Sequence, residues 1–206
     1  MKIITISREF GSGGRELGKR LADELGIPYY DQQIIEMVAE KTELDKTYIA
    51  NSSEKELTVF YPTTIARGFS RPNYTMLPNV KAMASEQELI KSLASVGDCV
   101  IVGRGADILL EEYKPFRIFV CADDESKLER CRARIDGDEE LSDKDILRKC
   151  REIDKSRSAH RKMLTDKKWG EASAYELCVN TSGKEIKELV PAIARYIECW
   201  YTEAQK

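Results

Sequence analysis

The sequence predicts an α/β fold in which a parallel sheet of about five strands carries helices on both faces. Short apolar runs recur along the chain at residues 2–7, 27–30, 99–102, 116–121 and 175–180. Near-continuous apolar runs of this length suit strands buried on both faces. The segments between them place apolar residues at helical spacing, as the crossovers of a parallel sheet require. The 206 residues, 42% hydrophobic and 33% charged, suit one soluble domain. Such a chain buries about 70% of its unfolded surface without disulfide or metal support.

Taken in order, the strand at 2–7 leads into Gly11-Ser12-Gly13-Gly14 and then a helix over 15–25 with Leu17, Leu21, Ala22 and Leu25 on one face. Gly26 stands where a helix of this kind stops in the left-handed conformation. After the strand at 27–30, Asp31 is placed to cap a helix to about residue 41. Residues 51–79 break the pattern with Pro62, Pro72, Pro78 and four aromatics, and read as an irregular insert. Helices are expected over 81–95, 123–135, 142–164 and 183–200, with Ser142 as the cap of the third.

Composition excludes several classes. With 33 basic and 36 acidic residues the net charge is −3, so no global basic field marks a nucleic-acid binder. No apolar stretch approaches the roughly 20 residues that span a bilayer, and the N-terminus has no signal-peptide pattern. The six cysteines form no CxxC pair and His160 is the sole histidine, against a zinc site or a disulfide framework. A cytoplasmic location is expected.

In open parallel sheets ligands bind beyond the carboxyl ends of the strands. That rule gathers residues 7–15, 30–31, 103–104 and 121–124 into one crevice. Gly11, Ser12, Gly13 and Gly14, between strand and helix, suit a phosphate cradle: backbone N–H groups converge there and the helix dipole adds positive potential. Against the template G-x-x-x-x-G-K-[ST] the frame opens on Arg8 instead of glycine, keeps Gly13, and has Gly14 and Arg15 where lysine and the hydroxyl residue belong. Arg8 and Arg15 are the candidates for the missing cation. Ser12, Glu9 and Glu16 are the candidates for contact with Mg²⁺, and the sequence does not choose among them.

The stretch from Ser7 to Glu16, followed by Ile27-Pro28-Tyr29-Tyr30-Asp31, resembles the start of the cytidylate kinase-like family, relatives of the nucleoside monophosphate kinases. Val102-Gly103-Arg104-Gly105, Lys168-Trp169-Gly170 and the segment from Tyr175 to Ser182 continue the resemblance. It implies a three-layer P-loop NTPase-like fold over 1–206, with a helical lid at about 136–170 and the insert on the acceptor side. It also implies ATP with Mg²⁺, and an acceptor contacted by Arg104 and Asp31. Gly14, Arg15 and Gly105 depart from the pattern of cytidylate kinases.

Phosphoryl transfer asks for positive charge around the moving group. Between residues 148 and 168 nine basic residues face three acidic ones. A solvated helix face is the plain reading of such a run. Ile146, Cys150 and Ile153 nevertheless make an inward stripe that Arg157 and Arg161 continue, so these two are expected over the cleft, and Arg148 and Arg151 are secondary candidates for the same role. His160 reads as a surface residue, and Trp169 and Tyr175 as packing under the lid's return. The expected function is ATP-dependent transfer to a CMP- or dCMP-like nucleotide or another small phosphate acceptor. The competing reading is a nucleotide- or phosphate-binding protein without turnover, acting through a protein partner or a homodimer.

Overall fold

A computed structural model describes residues 1–32, 80–134 and 141–203. The insert at 51–79 and the helix expected after Asp31 lie outside the described residues. The sheet has five parallel strands: β1 (Ile3–Arg8), β2 (Tyr29–Tyr30), β3 (Cys99–Val102), β4 (Phe116–Cys121) and β5 (Leu177–Asn180), in the order β2-β3-β1-β4-β5. β1 is central, with Ile6 opposite Val102 of β3 and Ile118 of β4. The described helices are α1 (Gly14–Leu25), α2 (Val80–Ser95), the single turn α3 (Ala106–Leu109), α4 (Asp124–Arg132), α5 (Asp143–Leu164) and α6 (Ile186–Glu203).

Alternation along β1 explains its apolar run. Ile4 and Ile6 pack with Leu17 and Leu21 of α1 and Val190 and Ile197 of α6, whereas Ile3 joins Leu89 and Ile90 of α2 on the other face. Both faces are covered, and each fully buried Leu or Ile contributes about 1.5–3 kcal/mol. Gly26 does end α1 in the left-handed region at φ 64°. Ser142 accepts from the Asp145 N–H to start α5, and Asp123 accepts from the Ser126 N–H to start α4. Two strands are shorter than the sequence suggested. Ile27 bonds back to the Ala22 carbonyl, which delays β2. Tyr175 is buried against Phe119 before β5 begins.

Candidate functional site

The carboxyl ends of β1, β3 and β4 meet at the glycine loop. Gly11 and Gly13 both adopt left-handed backbone, at φ 77° and 78°. Gly13 caps α1 without a side-chain hydrogen bond, so the first turn of the helix presents its backbone N–H groups to the loop's mouth. A Cβ on Gly13 would come within 2.5 Å of Ile186, so glycine is required by space as well as by φ. The Ser12 hydroxyl turns inward and donates to the Glu9 carbonyl at 2.8 Å.

Gly14 needs a different explanation, because its backbone is not left-handed. A Cβ there would lie 2.5 Å from Cβ of Arg8, 3.0 Å from its Cγ and 3.2 Å from Val120. The Arg8 side chain occupies the space above the first residue of α1 and runs on to Gly103, where its guanidinium fills the place of a Cβ. The root of Arg8 is fixed by β-pairing with Val120 and by the Arg157 guanidinium, which donates to its carbonyl at 2.9 Å.

Beneath the loop lies a cluster of charged side chains that sequence reasoning missed. Lys127 of α4 is buried, pairs with Glu9 at 2.8 Å, and packs its stem 3.1 Å from where a Gly11 Cβ would be. Burial disfavours its ammonium, but the hydrogen bond and charge of Glu9 outweigh this and raise its pKa. Asp154 accepts from the Phe10 N–H at 2.7 Å and pairs with Arg157 at 3.2 Å. Burial lifts the Asp154 carboxyl to about 6, against the pull of Arg157 and the Phe10 N–H. Arg130 donates to the Thr181 hydroxyl at 3.1 Å and to the carbonyls of Thr181 and Lys184 at 2.7 and 3.0 Å. Lys127 shares the inward stripe of α4 with the buried Cys131 at i+4, a signal present in the sequence.

The second half of the site is the turn after β3. Gly103, Arg104 and Gly105 are consecutively left-handed, and the arginine at φ 58° holds backbone strain of about 1 kcal/mol or more. Helix α5 spans both halves. Its middle holds the loop through Asp154 and Arg157, and its last turns cover the β3 turn. There a Cβ on Gly105 would strike Leu164 and approach His160 at 3.6 Å.

The expected site residues are distributed as follows. Arg15, on α1, is held by Asp31 at 2.7 Å, and Asp31 also accepts from the Tyr29 hydroxyl at 3.1 Å. Arg104 pairs with Glu86 at 2.8 Å, although Asp107 stands far nearer to it in the sequence. Asp107 is paired instead with Arg161, and both are almost completely buried, with the Tyr175 ring 5.1 Å from the guanidinium. Arg157 and Arg161, expected over the cleft, are both bonded to protein groups, Arg157 to the Arg8 carbonyl and Asp154, and Arg161 to Asp107. The inward stripe continues so faithfully that it buries them among protein partners. Arg148 and Arg151 are exposed and paired with Asp145 and Asp124, the solvated-face reading of that run. His160 is half-buried rather than on the surface, and burial together with the Arg104 charge lowers its pKa. Trp169 and Tyr175 pack on Phe119 as expected.

Each of the three side chains considered for Mg²⁺ already has a protein partner: the Ser12 hydroxyl bonds to the Glu9 carbonyl, the Glu9 carboxylate to Lys127, and Glu16, on the surface of α1, to Arg20. Among the described residues no group of three His, Cys, Asp or Glu side chains is arranged to hold a metal ion. Among those residues, too, no helix is long and apolar enough to cross a membrane.

Solved structures of the same architecture include an uncharacterized protein from Eubacterium ventriosum, with 23% identity and a TM-score of 0.69 over 96% of this chain and 99% of that one. Shikimate kinase from Bacteroides thetaiotaomicron follows at 13% identity and a TM-score of 0.54, covering 96% and 98%. Shikimate kinase from Acinetobacter baumannii, solved with shikimate, has 15% identity and a TM-score of 0.51, covering 97% and 94%. The fold is that of the P-loop kinases. No curated protein matches the sequence significantly. Residues 3–183, which contain the glycine loop, the β3 turn and α5, match the model of the cytidylate kinase-like family, and the chain belongs to that family.

Proposed function

We propose that the chain is an ATP-dependent phosphotransferase that moves the γ-phosphoryl group to a small phosphate-bearing acceptor, with CMP or dCMP foremost. The observation that carries the reading is the span of α5, which ties the glycine loop through Arg157 and Asp154 and covers the β3 turn through Leu164 and His160. Donor and acceptor sites under one helix are what in-line transfer needs, since positioning and charge supply most of the catalysis. The nucleotide phosphates sit on Gly11 to Gly14, and the acceptor lies toward Asp31 and Arg104. Mg²⁺ enters with ATP as part of the substrate, because phosphate oxygens and water can complete its octahedron. Arg157 and Arg161 serve as positioning residues that hold α5 to the two halves.

ADP formation from MgATP, measured across ribo- and deoxyribonucleoside monophosphates with an acceptor-free control, tests this. Shikimate belongs in the panel because kinases of this fold include ones for that acid. Acceptor-dependent turnover, fastest with CMP or dCMP, is the expected result. Binding of nucleotide without turnover for any acceptor would favour the second reading, a binding protein, which the glycine at position 14 supports.

A further inference from the structure

We propose that Arg8 supplies the cation that phosphate loops carry on their lysine, through a reciprocal exchange of side chains between positions 8 and 14. The inference rests on the phosphotransfer reading and selects between the two arginines that the sequence leaves open. In the template the first position is glycine and the seventh is lysine; here the first is Arg8 and the seventh is Gly14. These two positions touch. A side chain on Gly14 would begin 2.5 Å from the Cβ of Arg8, so either position can carry the long cation but not both.

The rest of the Arg8 side chain has its own slot. From Gly14 it runs to Gly103, at φ 86°, where any Cβ would collide with the guanidinium. Glycine at each end thus lets one arginine lie across the mouth, from the root of α1 to the turn where the acceptor site begins. That path leads from donor phosphates to acceptor, where charge moves during transfer. The backbone of Arg8 is held in register with Val120 and by the bond from Arg157, so the side chain starts from a fixed point. Arg15 leaves α1 in another direction, toward Asp31.

The experiment measures equilibrium binding of MgATP and of AMP to the wild-type chain and to Arg8→Gly, Arg8→Lys, Gly14→Lys and the double variant Arg8→Gly/Gly14→Lys. Arg20→Ala, at an exposed pair with Glu16, is the control. Thermal melts by circular dichroism report folding for each. Loss of one charged phosphate contact predicts MgATP affinity down about tenfold or more in Arg8→Gly. AMP, without β- and γ-phosphates, is affected far less. Gly14→Lys alone collides with Arg8 and melts lower, whereas the double variant rebuilds the template and recovers most of the lost MgATP affinity. Arg8→Lys keeps part of it, which covers the case in which Arg8→Gly does not fold. Unchanged MgATP affinity in Arg8→Gly, equal losses for AMP and MgATP, or a double variant no better than Arg8→Gly each overturn the exchange. A wild-type chain that binds no MgATP overturns the phosphotransfer reading, and this assignment with it.

Discussion

The Thr181 hydroxyl donates a 2.7 Å hydrogen bond to the Ser12 carbonyl, joining the exit of β5 to the glycine loop across 169 residues of sequence. Arg130 reaches the same hydroxyl at 3.1 Å, so one buried threonine links the loop, the last strand and α4. The loop is therefore held from three directions by the protein itself. Such preorganisation spares the ligand the cost of ordering the backbone that binds it.

Thr181→Val preserves the shape and removes the donor. The Ser12 carbonyl and the Arg130 guanidinium each lose a buried partner, which costs about 1–3 kcal/mol. For a chain of this size that lowers Tm by about 2–4 °C per kcal/mol. The variant should melt lower and gain less from added MgATP than the wild type does. An unchanged melt would show that the loop does not depend on this link.

The buried pair of Arg161 and Asp107 permits a sharper separation of roles. Removing one partner strands a charge, and such single changes cost about 3–5 kcal/mol, while replacing both with apolar residues restores much of the loss. Arg161→Met and Asp107→Leu should each destabilise strongly, and the double variant should refold with a near-normal denaturation midpoint in urea. If Arg161 only anchors α5, the refolded double variant keeps its turnover. Turnover abolished in a stable double variant would return Arg161 to the transferring phosphoryl group.

Much of this arrangement is legible in the chain. The apolar runs and the caps at Ser142 and Asp123 locate five strands and two helix starts, because buried strands and N-caps leave local signals. The glycine loop is equally local. What the sequence hides is pairing. Lys127 stands in a polar-looking helix, and only the fold brings Glu9 to it from 118 positions earlier. The same holds for Arg104, whose partner Glu86 lies on α2. Periodicity correctly aims Arg157 and Arg161 inward, but it cannot say whether a cleft or a carboxylate waits there. Gly14 is the clearest case: as a motif position it reads as a loss, and in space it is the room that Arg8 needs.

Arg15→Ala releases Asp31 from its 2.7 Å partner and leaves only the Tyr29 hydroxyl among the contacts described above. Because β2 ends beside the proposed acceptor side, the change should raise the acceptor KM several-fold, about the effect of a partly exposed charge contact. The KM for MgATP should move much less. A larger effect on MgATP would place Arg15, rather than Arg8, on the donor phosphates.

Asp154 allows a prediction with a definite sign. Burial is the main cause that raises its carboxyl to about 6, and the charges of Arg157 and Lys127 with the Phe10 N–H only partly oppose it. An unfolded aspartate titrates near 3.9, so the folded chain holds this proton more tightly. The stability it contributes is complete below about pH 4 and is lost as pH rises through about 6, amounting to about 3 kcal/mol at most. Asp154→Asn keeps an acceptor for the Phe10 N–H and cannot ionise. Urea unfolding of both chains at pH 4, 5, 6 and 7 isolates the effect, since the other titrating groups cancel in the difference. Relative to the asparagine variant, the wild type should lose stability between pH 4 and 6 and level off toward pH 7. A difference that grows in the wild type's favour with pH would mean that Arg157 dominates, and that the carboxylate under the glycine loop is stabilised in its charged form.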